Sequence, residues 1–354
     1  MNKATGQSAI FGCLIGTAIG DALGLPCERL TRARRRKMFP SLNRPAFFFG
    51  RGMFSDDTEH SIMAVQALIV SAGEETRFAD SFARQLRAWL LLLPGGAGLA
   101  TLKATFKLLC GVSPSRSGVW SAGNGPAMRS AILGVCSGDD LAKLKNMVRV
   151  STRLTHTDPK AEWGAFAVAL AAHFSATSQP IDAQKYARIL AQNLDDEAHE
   201  FLALVQSAIE SAQIGQSAQD FAASIGCENG VSGYIFHTVP VVLQVWLRGE
   251  NYREGIEEII GCGGDADTTA AILGGIIGAR VGEAGIPTQW RDSLMEWPRG
   301  ISFLRKLAQR LAEVAASGKT QKPVRAFSLA ILIRNIFFLA VVLLHGLRRL
   351  LPPY

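Results

Sequence analysis

Apolar residues recur along the chain at intervals of three and four, the spacing of one helix face. In "SDDTEHSIMAVQALIVSA" (55–72), Ile62, Met63, Val65, Leu68 and Ile69 keep that spacing. "TRFADSFARQLRAWLLLL" (76–93) is amphipathic in the same way and stops at Pro94-Gly95-Gly96. The pattern returns over 124–138, 158–176, 183–194, 195–212, 232–249, 251–264 and 302–317. Two further segments, 9–24 and 261–282, are rich in Gly and Ala and predict helices able to pack closely on a neighbour. Alternation of β-branched residues is almost absent, no fixed-period repeat appears, and Pro and Gly fall between the helical segments. The pattern predicts an all-α fold, a compact multi-helix bundle over residues 1–316. A polar linker, 317–325, leads to an apolar C-terminal helix, 326–354.

The C-terminal segment is unlike the others. Arg334, Asn335, His345, Arg348 and Arg349 fall within about 140° on a helical wheel, and Leu, Ile, Phe, Val and Ala fill the rest. Such a stripe suits a helix lying in a membrane interface, or a span whose stripe faces a partner. A helix packed on the body with the stripe outward is the strained alternative, because too much of the circumference is apolar for one contact face. The expectation is a separable tether to the anionic inner face of a membrane. Truncation after Ser317 is then expected to leave the catalytic body active.

Composition adds limits. The 354 residues are 48% hydrophobic and 19% charged, enough for one large core and unlike a disordered chain. The net charge of +7 sits in patches, mainly Arg29–Lys37 and the flanks of the C-terminal segment, which argues against a nucleic-acid groove. No pair among the six cysteines is spaced C-x-x-C, so a zinc ribbon is not expected and the thiols read as reduced core residues. The N-terminal apolar run is interrupted by Asp21 and lacks the form of a secretory signal, which predicts a cytoplasmic protein.

Two helix starts carry more acid than capping needs. Ser55, Asp56, Asp57 and Glu59 open one helix; Asp265, Asp267 and Thr268 open another. No Lys or Arg lies within a turn of either group in sequence. Uncompensated carboxylates at the base of apolar helices are costly, and a divalent cation neutralises them. An oxygen-only donor set suits Mg²⁺, Mn²⁺ or Ca²⁺. Neighbouring helix positions diverge by about 100°, so both aspartates of a pair can serve one centre only at a helix terminus. If the two termini face each other, four aspartates can hold two metals.

Five segments, in order, resemble the ADP-ribosylglycohydrolase family, which includes dinitrogenase reductase-activating glycohydrolases and ADP-ribosylhydrolases. They are "GDALGLPCE" (20–28), "SDDT" (55–58), "GNGPAMR" (123–129), "THTDP" (155–159) and "GGDADTTAAILGGIIGA" (263–279). The resemblance spans roughly residues 8–315 and implies an all-α orthogonal bundle. It implies two Mg²⁺ or Mn²⁺ ions held by Ser55, Asp56, Asp57, Asp265, Asp267 and Thr268, with Ser55 standing where Thr is common. It implies a gating or acid/base role for Glu28, diphosphate contacts from Gly123, Asn124 and Gly125, and a ribose-phosphate contact from His156. Pro126 stands where the family often has Gly or Ala. Tyr234 and Phe236 are aromatic candidates to stack on adenine, with core packing an equal alternative.

The expected activity is dimetal-dependent hydrolysis of the bond joining ADP-ribose to a protein side chain, arginine foremost. Asp56 or Asp57 would activate water. The partner is an ADP-ribosylated protein. Two other readings stay open: a non-catalytic ADP-ribose-binding member of the fold, and a metal-dependent phosphoesterase.

Overall fold

The computed structural model describes residues 3–177 and 180–353. Tyr354, the end of the expected tail, lies outside the described residues, as do the first two residues of the helical body. Among the described residues are seventeen α-helices and five short 3-10 turns, with extended backbone limited to isolated bridges. The helices expected from periodicity are present. Five were not expected: Arg32–Met38, Leu99–Leu109, Leu141–Arg153, Ala218–Ser224 and the short Thr288–Asp292. The third had a legible signal, since Leu144, Met147 and Val148 are buried at helical spacing and Asp140 caps the first turn.

The centre of the bundle is the antiparallel pair Lys3–Gly24 and Ala266–Val281. A Cβ on Gly16 would lie 2.2 Å from the carbonyl oxygen of Gly274, and one on Gly20 would lie 2.1 Å from that of Ala270. Only glycine permits this approach. Because the pair is antiparallel, the end of the first helix, with Asp21 and then Glu28, meets the start of the second, with Asp265 and Asp267. Helices Asp56–Ser71, Pro159–Thr177 and Ile235–Leu247 surround the pair, all almost wholly buried. Of the cysteines, Cys13, Cys27, Cys227 and Cys262 are buried and Cys136 is half-buried, whereas Cys110 is exposed, unlike the core position expected of it.

The linker and C-terminal helix pack on the body. Gln321 donates its backbone N–H to the Ile69 carbonyl, and Gln66 exchanges two hydrogen bonds with the backbone of Val324, at 2.6 and 2.9 Å. The helix Ser328–Arg348 turns Arg334, Asn335 and His345 of its polar stripe inward and leaves Arg348 exposed. Arg334 is buried against Glu296 and donates to the Phe54 carbonyl at 2.5 Å. Asn335 donates to the Leu92 carbonyl at 2.7 Å, and His345 Nε2 to that of Phe47 at 2.7 Å. Phe338, fully buried, stacks on Phe47. A helix with one polar stripe can be satisfied this way when the body supplies acids and carbonyls opposite the stripe.

Candidate active site

Ser55 caps the helix Asp56–Ser71: its Oγ accepts from the Asp57 N–H at 3.3 Å. The cap is therefore filled by a hydroxyl, and Asp56 and Asp57 are left over. Asp21 fixes the segment from below. Its carboxylate accepts from the N–H groups of Ser55 and Thr58 at 2.9 and 3.1 Å and from Thr58 Oγ1 at 2.6 Å. Burial pushes Asp21 up to about 7 against those hydrogen bonds. Asp21 was not expected in the site. Its signal was present, a single charge inside an apolar small-residue helix.

The second acidic start is held by glycines in the left-handed region, Gly263 at φ +71° and Gly264 at φ +79°. A Cβ on Gly264 would lie 2.1 Å from the Val231 oxygen. The loop is sewn on both sides. Gly264 N–H donates to Leu30 O at 2.8 Å, Arg29 N–H to Gly264 O at 2.6 Å, and Asp265 N–H to Val231 O at 2.7 Å. Asp265 occupies the N-cap position of Ala266–Val281 but makes no side-chain cap bond. Its Oδ2 instead accepts from Asn124 Nδ2 at 2.6 Å.

The two starts face each other. Thr268 Oγ1 donates to Asp57 Oδ2 at 3.2 Å, as does Ser55 Oγ at 3.1 Å. Carboxylate oxygens of Glu28, Asp265 and Asp267 lie within 4.8 Å of one another. Asp57 Oδ1 and Asp267 Oδ1 are buried without a hydrogen-bond partner. Burial and then the neighbouring carboxylates push Asp56, Asp57 and Asp267 well above the usual carboxylate range. Glu28 and Asp265 are raised too, first by burial. Orphaned buried oxygens in an oxygen-only set are what a hard divalent cation satisfies.

These residues end in a cavity of about 610 Å³ lined by Glu28, Asp56, Asp265, Asp267 and Thr268 on one side and by Gly123, Asn124, Gly125 and His156 on another. A Cβ on Gly123 or Gly125 would come within 3.2 or 3.0 Å of the His156 ring, so the glycines admit that ring beside the loop. His156 Nδ1 pairs with Thr155 Oγ1 at 2.9 Å, and burial, with Arg129 second, pushes the imidazole down to about 3. It is neutral at physiological pH. Arg129 was also unexpected. Fully buried, it donates to Gly125 O, Ser151 O and Thr155 Oγ1, tying the glycine loop to the His156 segment. The aromatic pair is not brought to the cavity. Phe236 is buried in the core, and the Tyr234 ring leans on it while its hydroxyl accepts from Lys160 at 3.1 Å.

Residues 2–321 match the ADP-ribosylglycohydrolase family, and the chain belongs to it: it is a glycohydrolase that cleaves ADP-ribose linkages. It is 31% identical over 310 residues to an uncharacterized protein of Archaeoglobus fulgidus, covering 85% of this chain and 95% of that one. It is 24% identical to the ADP-ribosyl-[dinitrogen reductase] glycohydrolase of Rhodospirillum rubrum (80% and 89% covered) and 25% to human ADP-ribosylhydrolase ARH3 (82% and 90%). A solved ADP-ribosylglycohydrolase-related protein shares the fold at a TM-score of 0.64 with 23% identity, covering 88% of this chain and 99% of that one.

Proposed function

We propose that this chain removes ADP-ribose from arginine side chains of a modified protein, using two divalent cations, Mg²⁺ or Mn²⁺. Ser55, Asp56, Asp57, Asp265, Asp267 and Thr268 would hold them. The observation that carries this reading is the facing pair of acidic helix starts with orphaned oxygens on Asp57 and Asp267. Four aspartates carry the charge that two divalent cations balance. Bound cations would supply Lewis acidity and orientation for ribose hydroxyls.

The chain's own residues do the rest. The Gly125 N–H and neutral His156 would offer hydrogen-bond donors to a diphosphate, the N–H groups of Gly123 and Asn124 being taken by Ser121 Oγ and Gly233 O, without adding a fixed positive charge beside the carboxylates. Asp56 or Asp57 accepts a proton from the attacking water, and nearby carboxylates stabilise an oxocarbenium-like ribose. Glu28 lines the cavity and pairs with the Arg29 guanidinium at 3.1 Å. There it would meet the leaving group, and the unpaired carboxylates of Asp56 and Asp267 beside it suit a cationic guanidinium better than a hydroxyl. The kinship with the dinitrogen reductase glycohydrolase supports a protein substrate.

The test is release of ADP-ribose from ADP-ribosyl-arginine and ADP-ribosyl-serine proteins, beside mononucleotides, in Mg²⁺ or EDTA. Metal-dependent release from arginine is expected. Release from serine alone replaces the linkage, and turnover of mononucleotides alone replaces the reaction.

A further inference from the structure

The helix Ser328–Arg348 is apolar on the outside. Arg334, Asn335 and His345 are used up inside, while Leu329, Ile333, Ile336, Leu343, Leu344 and Leu347 are each more than half exposed. The patch continues onto the body. Phe337 packs edge-on against Phe48, and the adjacent Phe49 is 93% exposed. Leu93, beside the carbonyl that holds Asn335, is exposed as well. Contiguous apolar surface of this extent marks an interaction face.

Cations border it at both ends. Lys319, Lys322 and Arg325 are exposed before the helix, and Arg348 is exposed at its close. Arg34 reaches from the basic helix Arg32–Met38 to the carbonyls of Arg349 and Leu351, which draws that run, with exposed Arg36, to the same end. No Asp or Glu follows Glu313 in the chain.

We infer that this face docks on an anionic lipid bilayer, the helix lying in the interface and the catalytic body on the aqueous side. A second copy is the poorer occupant. Isologous pairing sets the same patch against itself, and the helix and its flanks after Glu313 carry cations and no acid. Anionic headgroups meet them while acyl chains take the leucines. The helix lies flat because its polar side is committed to Glu296, Phe54, Leu92 and Phe47 of the body. A groove beside it joins the catalytic cavity through Glu28, Arg29 and Gly96, so docking holds the cavity next to the lipid surface.

The experiment is flotation of the full-length protein with vesicles of phosphatidylcholine alone or with one-third phosphatidylglycerol. Two variants are compared: Ile336→Glu/Leu343→Glu/Leu347→Glu, and Arg325→Glu/Arg348→Glu. The wild type should float with the anionic vesicles, and less at raised salt. The first variant should lose about tenfold or more in binding and the second several-fold, with melting temperature and hydrolysis of a soluble substrate retained. Wild-type protein that stays in the aqueous fraction overturns the inference. If it is then a dimer that the first variant splits, the face is a self-interface. Equal flotation of the wild type and the triple variant overturns it too. None of these readouts depends on hydrolysis, so the inference fails or stands apart from the proposed reaction.

Discussion

Asp57 and Glu59 lie two residues apart at the start of one helix, are equally buried, and differ in what surrounds them. Glu59 meets the Arg299 guanidinium, with Arg334 at 3.7 Å, and accepts from Trp89 Nε1 at 2.6 Å. Burial alone would raise its carboxyl; the two arginines outweigh it and hold it below the usual range. Asp57 meets Asp21, Asp56 and Asp265, and nothing holds it down but hydroxyls. Both acids looked alike as first-turn residues. The contrast teaches that acid at a helix start becomes chemistry when the fold withholds a counter-charge. The Glu59 cluster is a closed structural ion-pair network, and the Asp57 cluster is left open for something to bind.

The widest gap between the clusters should appear in function. Asp267→Ala is expected to lower ADP-ribose release by about a thousandfold or more, an effect of the order seen when a main electrostatic group is lost. Circular dichroism should show an intact fold. Asp267→Asn should be equally inactive yet melt higher than the wild type in EDTA, because it removes one member of a like-charged set. A lower melting temperature would mean that the set is compensated after all.

Next in size is the closed cluster. Arg334→Ala leaves Glu296 buried without its main partner and is expected to cost about 3–5 kcal/mol in chemical denaturation. Removal of everything after Ser317 should cost at least as much, since it also removes Asn335 and Phe338. The tail is therefore not expected to be separable with activity retained, as its sequence suggested.

The pH response should also divide the clusters. In the native state Asp56, Asp57 and Asp267 are raised, and Asp21 reaches about 7. A raised carboxyl contributes stability that is full below the unfolded value and lost as pH rises through the folded one. Metal-free protein should thus lose melting temperature between about pH 4 and pH 7, and added Mg²⁺ should restore more of it at the upper end than at the lower. Differential scanning fluorimetry with EDTA or Mg²⁺ measures this, and a metal effect independent of pH would contradict it. The smallest effect is expected at Tyr234. Tyr234→Ala should change KM by no more than about threefold, because the ring lies against Phe236 away from the cavity.

The sequence alone determined the helical class, most of the helices, and the residues of the open cluster other than Asp21. Periodicity repeats locally, and surplus acid around Ser55 and Asp265 is countable along the chain. The small-residue runs at 9–24 and 261–282 already predicted close packing. Tertiary structure decided what lay opposite each of these. Arg299 and Arg334 reach Glu59 from more than 200 residues away, so the difference between Glu59 and Asp57 could not be read within a turn of sequence. Asp21 became part of the site because an antiparallel glycine interface set its helix end against Asp265 and Asp267. The wheel set Arg334, Asn335 and His345 on one face, with Arg348 staying exposed, but it cannot say which face is inward. That depended on Glu296 and on the carbonyls of Phe54, Leu92 and Phe47 standing where an arginine, an amide and an imidazole could meet them. Burial of a charge is decided by its partners, and partners are a property of three-dimensional neighbourhood.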